Sequence, residues 1–363
     1  MAAPDYTQKF YDAYEAEKAK RKRPTVLVCG YTGSGKSSLI KAICGGIVPD
    51  DEIGDGRPKT MEYKKYETED IRVYDSRGLE LGETETKFTA MTKDFVRNLQ
   101  NDSNVDNHIH LVWYAIQGSG ARITDCDINL MQNIFDPNHL IVVLTKKDIT
   151  RPDQLEALTA RLIEAGVSPQ RIVATSDLQS GAKGCKELMR LSYEMLPEAY
   201  RDAFMRAQEI DRETKIAAVY AKSTKAAAII LTATGSATGI AAAPIPVADA
   251  PILMGVQATM IGSLAGLYGF DRSRVSFAAL PILARTAGML AATSLSKMIP
   301  GLGSLIQATV AAAITGAMGY FVKDQFEKNA IAVINGQPIR ELQFDPNVFQ
   351  RYYNNYHHDN ISG

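Results

Sequence analysis

Residues 30–37 read Gly30-Tyr31-Thr32-Gly33-Ser34-Gly35-Lys36-Ser37, the pattern G-x-x-x-x-G-K-S, directly behind the apolar run Val26-Leu27-Val28-Cys29. A strand that ends in such a loop and continues into a helix presents successive backbone N–H groups and a helix N-terminus to a phosphate. Lys36 would bridge the β- and γ-phosphates of a nucleotide, and the Ser37 hydroxyl would be a Mg²⁺ ligand. Gly30, Thr32, Gly33, Ser34, Gly35 and Ser38 complete the set expected to face the phosphates. A strand–loop–helix unit of this kind needs a sheet to hold it, and that limits the fold more than any other feature of the chain.

Four later segments follow in the order that a guanine-nucleotide switch requires. Ile71-Arg72-Val73-Tyr74 is a short strand ending in Asp75-Ser76-Arg77-Gly78, a D-x-x-G. There Asp75 can hold a Mg²⁺-bound water and the Gly78 N–H can meet the γ-phosphate. Leu140-Ile141-Val142-Val143-Leu144 is fully apolar, as a central parallel strand should be, and ends in Thr145-Lys146-Lys147-Asp148. In this T-K-x-D, Asp148 can accept from guanine N1 and N2, which adenine does not offer as donors, and Lys146 would lie along the base. Arg171-Ile172-Val173-Ala174 leads into Thr175-Ser176-Asp177, where the Ser176 region offers a backbone N–H to guanine O6. Thr60, between the first loop and the D-x-x-G, is the candidate for the Thr that completes the Mg²⁺ shell; a plain surface Thr is the competing reading.

With these five elements, residues 24–200 resemble a G domain of the translation-factor-related GTPase class, close to the Era-like group. The loop GYTGSGKSSLI and the TKKD are also similar to the interferon-inducible immunity GTPases. The resemblance implies a doubly wound, mostly parallel α/β sheet, GTP or GDP as ligand, Mg²⁺ as cofactor, and Lys36, Thr60, Arg77 and Gly78 in the catalytic machinery. This chain departs from the Era pattern at Thr145, where Asn is usual, at Arg77, where Pro is usual, and at Gly33 in place of the Asn of potassium-activated relatives. Leu79 follows Gly78 and has neither donor nor acceptor to orient a water, so slow intrinsic hydrolysis is expected unless Arg77, Glu80, Glu83 or a second protomer completes the site. Glu80, Glu83 and Glu85 read first as a solvated face of the switch segment, ahead of any single catalytic role.

The 40 basic residues are offset by 41 acidic ones, which leaves no global signature of nucleic-acid binding. The cluster Lys18, Lys20, Arg21, Lys22 and Arg23 reads as the charged end of an exposed helix or as a phosphate or anionic-lipid contact. Cys29, Cys44, Cys126 and Cys185 lack C-x-x-C spacing and read as small buried hydrophobes in a reducing compartment; the five histidines lack ligand spacing. The N-terminus carries no apolar secretory core, so a cytoplasmic location, with or without membrane association, is expected.

The sequence divides into residues 1–23 (an aromatic-striped helix with Tyr6, Phe10 and Tyr14), 24–200 (the G domain), 201–330 (apolar and helical) and 331–363 (a tail packed back through Ile339, Leu342 and Phe344). The uncharged runs 226–248, 250–270 and 298–322 are long enough to span a bilayer. They are also rich in Ala, Gly and Thr and interrupted by Pro244, Pro246, Pro251 and Pro300, which suits a tight soluble bundle equally. Residues 215–325 resemble an uncharacterised apolar helical domain that follows Era-like GTPase domains in many bacterial proteins. The expectation is a GTP-hydrolysing switch that controls an all-α effector domain, with homodimerisation through the G domain and membrane contact both open. The alternative is a nucleotide-dependent assembly or scaffold protein with negligible turnover; ATP use is disfavoured by Asp148.

Overall fold

The computed structural model describes residues 6–48, 63–76, 78, 84–120, 122–177, 181–242, 249–270, 304–340 and 346–361. The chain gathers into two compact units, one of residues 21–212 and one of residues 1–20 with 213–363.

The first unit is a sheet of six strands: β1 (Thr25–Cys29), β2 (Lys64–Glu67), β3 (Arg72–Asp75), β4 (Leu111–Gln117), β5 (Leu140–Thr145) and β6 (Ile172–Ala174). Their order across the sheet is β2-β3-β1-β4-β5-β6, with β2 antiparallel to β3 and every other pair parallel. β1, β4 and β5 are buried on both faces, which is why they are near-continuous runs of apolar residues; β2, at the edge, buries only Tyr66. The connections are α2 (Lys36–Cys44), α3 (Glu85–Gln100), α4 (Asp125–Asn133), α5 (Pro152–Glu164), α6 (Cys185–Met195) and α7 (Glu198–Ala207), with the short α1 (Tyr6–Ala19) belonging to the other unit. The five parallel strands put their C-terminal ends on one edge, and the candidate loops emerge there.

The basic cluster is engaged in local pairs: Lys20 with Glu17 at 2.5 Å, Lys22 with Asp106 at 3.1 Å, and Arg23 with Glu67. All four cysteines are buried and free.

The second unit is helical: α1, α8 (Arg212–Ala221), α9 (Ser223–Ala242), α10 (Asp249–Tyr268), α11 (Ser304–Ile334) and α12 (Pro346–Ile361). Phe10 and Tyr14, two of the three aromatics of the N-terminal stripe, are fully buried against α10, and the Tyr14 hydroxyl donates to the Phe270 carbonyl at 2.7 Å. Gly262 lets the two helices touch, since a Cβ there would stand 2.1 Å from the Phe10 carbonyl oxygen. Ala226, Ile230, Leu264, Phe321, Val322 and Phe326 fill the centre. Buried Glu327 accepts from Tyr268 Oη at 2.7 Å and Ser223 Oγ at 2.9 Å, and pairs with Lys323 Nζ at 2.9 Å. The C-terminal stretch packs back through Phe349 and Ile339; Leu342 and Phe344 lie outside the described residues. Among the described residues one helical stretch, Arg212–Gly239, is long and apolar enough to cross a membrane by length and composition.

Candidate nucleotide site

The loop between β1 and α2 is shaped by its first glycine. Gly30 takes φ +143°, and a Cβ there would stand 2.2 Å from the Ala115 carbonyl oxygen of β4, so the loop leaves the sheet along a path closed to any side chain. Gly33 and Gly35 continue the turn, and the first helical hydrogen bond, Leu39 N–H to Gly35 C=O, starts α2 at 2.9 Å. Ser38 is half-buried in the first turn of that helix, whereas Thr32 is exposed at the loop tip.

Lys36 is buried, and its ammonium donates to the carbonyls of Gly30 and Tyr31 at 3.1 Å each. Burial pulls its pKa below the usual lysine range, and the Asp75 carboxylate opposes that shift. Asp75 ends β3, where its register against Val28 of β1 puts it beside α2; the Ser37 hydroxyl donates to its Oδ2 at 2.6 Å. Gly78 is pressed onto the phosphate-binding loop so closely that a Cβ would stand 2.1 Å from the Thr32 nitrogen. The sheet thus unites Lys36, Ser37, Asp75, Gly78 and Thr32. Thr60 and Arg77, and Leu79 with them, lie outside the described residues.

A hydroxyl and a carboxylate in mutual contact are the hard oxygen donors that Mg²⁺ takes, so the pair Ser37 and Asp75 fits that ion.

The T-K-x-D is tied into the same site by a side chain. Thr145, buried at the end of β5, donates its hydroxyl to the Ser34 carbonyl at 2.6 Å and so holds the phosphate-binding loop from the side. Lys146 adopts a left-handed backbone at φ 57°, and its ammonium donates to Gln117 Oε1 at 3.1 Å, which extends its stem along the edge of the site. Asp148 is exposed, with its carboxylate open to a ligand. Ser176 is buried; its hydroxyl accepts from Lys183 N–H at 2.8 Å, and the Lys147 N–H donates to Thr175 C=O at 2.9 Å, so the loops that follow β5 and β6 are knitted together.

The sequence reading missed a polar chain behind the loop. Tyr114 Oη donates to Asp127 Oδ1 at 2.5 Å, the Thr124 N–H donates to Asp127 Oδ2 at 2.8 Å, and Tyr31 Oη meets Thr124 Oγ1 at 2.8 Å. Burial raises the Asp127 pKa, against which these donors work. Thr124-x-x-Asp127 is a capping box at the start of α4, and that spacing was readable in the sequence. Nothing in the sequence joined it to Tyr31.

Residues 25–146 match the family described as 50S ribosome-binding GTPase. Residues 25–146 thus carry a P-loop GTPase domain. That match supports GTP binding and hydrolysis by the domain. The chain is similar to the septin CDC11 of Candida albicans, 25% identical over 179 residues that cover 40% of this chain and 44% of the septin. It is also similar to magnetosome membrane protein 22 of Magnetospirillum gryphiswaldense, 31% identical over 116 residues, 30% of this chain and 57% of that protein. The chain spans about half the length of these relatives. Among solved structures, Era of Aquifex aeolicus bound to GDP·AlF4⁻ aligns with a TM-score of 0.37 and 20% identity over 49% of this chain and 58% of that one.

Proposed function

We propose that the chain binds GTP and GDP with Mg²⁺, hydrolyses GTP slowly on its own, and works as a switch whose G domain controls the helical unit. The observation that carries this reading is the convergence of Lys36, Ser37 and Asp75 at one sheet edge, with the Ser37 to Asp75 bond at 2.6 Å. Lys36 would move from the loop carbonyls to the β- and γ-phosphates, an exchange of neutral acceptors for anionic ones that favours the bound state. Ser37 and Asp75 would hold Mg²⁺, Asp75 through a water; the ion would neutralise charge that develops between the β- and γ-phosphates. The Gly78 N–H would reach the γ-phosphate, and Thr60 would complete the metal shell. Asp148 would accept from guanine N1 and N2 while Lys146 covers the base and the Ser176 loop meets O6. Arg77 would act on the transferred phosphate, from its own chain or from a second copy across a G-domain dimer.

The second reading, an assembly protein that binds GTP with negligible turnover, is favoured by Leu79, which cannot orient a water. The two part in one experiment: single-turnover GTP hydrolysis measured against protein concentration, with GTP, GDP and ATP affinities determined alongside. A rate that rises with concentration supports the switch and the dimer, and guanine binding with no turnover supports assembly. Equal ATP and GTP affinity rejects both. Membrane contact by the helical unit, supported by the apolar stretch Arg212–Gly239, is tested by flotation with liposomes with and without a non-hydrolysable GTP analogue.

A further inference from the structure

The side chain of Tyr31, the second residue of the phosphate-binding loop, has no part in the chemistry described so far. Its ring lies beside Phe88, with centroids 6.5 Å apart, and its hydroxyl meets side chains from two different helices. One is Glu85 Oε1 at 3.0 Å, in the first turn of α3; the other is Thr124 Oγ1 at 2.8 Å, the N-cap of α4. The Thr124 hydroxyl also meets Asp127 Oδ2 at 3.0 Å.

With both carboxylates ionised, these contacts hold one proton fewer than they need. Tyr31 and Thr124 each bring a single O–H, and three oxygen pairs ask for one: Glu85 with Tyr31, Tyr31 with Thr124, and Thr124 with Asp127. Every arrangement leaves one pair without a proton, and two of them keep a proton between Tyr31 and Thr124. In the first, Tyr31 donates to Glu85 and Thr124 donates to Tyr31, while Asp127 Oδ2 keeps the Thr124 N–H at 2.8 Å. In the second, Tyr31 donates to Thr124, Thr124 donates to Asp127, and Glu85 loses its donor. Tyr31 can therefore hold or release the start of α3 without moving its ring.

The position of Gly78 makes this consequential. Gly78 closes the D-x-x-G and sits against Thr32, the residue next to Tyr31, while Glu85 opens the helix that follows. Both are fastened to adjacent residues of the phosphate-binding loop. We infer that Tyr31 is a positioning residue for the phosphate chemistry: its hydroxyl, shared between Glu85 and Thr124, ties the first turn of α3 to the loop and keeps Gly78 seated on Thr32. This inference rests on the GTPase reading proposed above.

The test uses the full chain with Tyr31→Phe, which retains the ring against Phe88 and removes only the hydroxyl. Single-turnover GTP hydrolysis should fall roughly five- to tenfold, the upper part of what one ordinary hydrogen bond contributes, while GDP affinity stays within about twofold of native. Glu85→Ala should reproduce the fall, and Glu85→Gln, which keeps an acceptor, should restore most of the rate. The double variant Tyr31→Phe/Glu85→Ala should be no slower than either single one, because both remove the same contact. Amide exchange in the nucleotide-free protein gives an independent reading: Tyr31→Phe should speed exchange at Thr86, Lys87 and Phe88 and leave β5 protected. Native exchange in Tyr31→Phe, or additive losses in the double variant, overturns the inference. A native chain that binds no GTP defeats the GTPase reading instead, and the exchange measurement then decides the tie by itself.

Discussion

The two units bury polar groups for different ends. In the GTPase domain the buried polar side chains Lys36, Asp75, Thr145 and Ser176 collect where the strands end, and each is bonded to a loop that faces the proposed ligand. In the helical unit Glu327 and Gln257 lie between helices and bond only to neighbouring side chains: Tyr268, Ser223 and Lys323 around Glu327, and Thr315 at 3.2 Å from Gln257. A buried polar group must find a partner or cost several kcal/mol. The first unit meets that demand with bonds a ligand can replace, and the second with bonds that fix how its helices pair. Function should therefore be sensitive to substitution in the first and stability in the second.

The largest expected effect breaks the comparison if it fails. Phe10→Ala removes a fully buried ring from the α1–α10 contact and should destabilise the helical unit by about 3–5 kcal/mol, read as a lower denaturant midpoint. Guanine-nucleotide affinity should change little while the protein remains folded; a parallel loss of binding would mean that the nucleotide site itself depends on the packing around Phe10. Lys36→Ala makes the reciprocal case. It should lower GTP hydrolysis by roughly 10²–10³-fold, with the thermal transition of the protein nearly unchanged, because among the described residues the ammonium donates to loop carbonyls and packs no core. A variant that unfolds earlier would show the lysine to be structural.

Acid titration sharpens the comparison within the GTPase domain. His110 accepts the Thr25 N–H through Nδ1 at 3.0 Å and lies 4.0 Å, centroid to centroid, from the Tyr200 ring. Its pKa is pushed down to about 4, first by burial and then by His139, with Asp106 opposing. The unfolded chain, with an ordinary value of about 6.5, binds this proton more readily, so the contribution is complete above about pH 6.5 and is lost as pH falls toward 4. The expected loss is about 2–3 kcal/mol across that window, followed by chemical denaturation, and His110→Asn should flatten the slope. The smallest effect concerns the side bond to the loop. Thr145→Val leaves the Ser34 carbonyl without its hydroxyl donor and should weaken GTP binding by about 1–2 kcal/mol, whereas Thr145→Asn, which supplies a new donor, should recover part of it. Equal binding by the Val and Asn variants would remove Thr145 from the design.

Much of the first unit was legible in the chain because its signals are local. The apolar runs of β1 and β5, the short strand that ends in Asp75 and the strand–loop–helix around Lys36 all follow from periodicity and from loop motifs of fixed spacing. The side chains that brace the site were harder to see: Gln117 under Lys146, and the chain from Tyr31 through Thr124 to Asp127, join residues far apart in sequence.

By itself the sequence determined the strand–loop–helix around Lys36 and Ser37, the D-x-x-G, the T-K-x-D and the mostly parallel sheet that carries them, since each depends on residue types a few positions apart. Only the tertiary structure decided that Thr145 clasps Ser34, that Tyr31 is shared between α3 and α4, and that the N-terminal helix packs on α10 through Gly262. The physical reason is the range of the forces involved. Backbone geometry and hydrophobic period act over one or two turns of chain and leave a mark on neighbouring residues. A hydrogen bond or a close helix contact between distant segments leaves none until the core has brought them together.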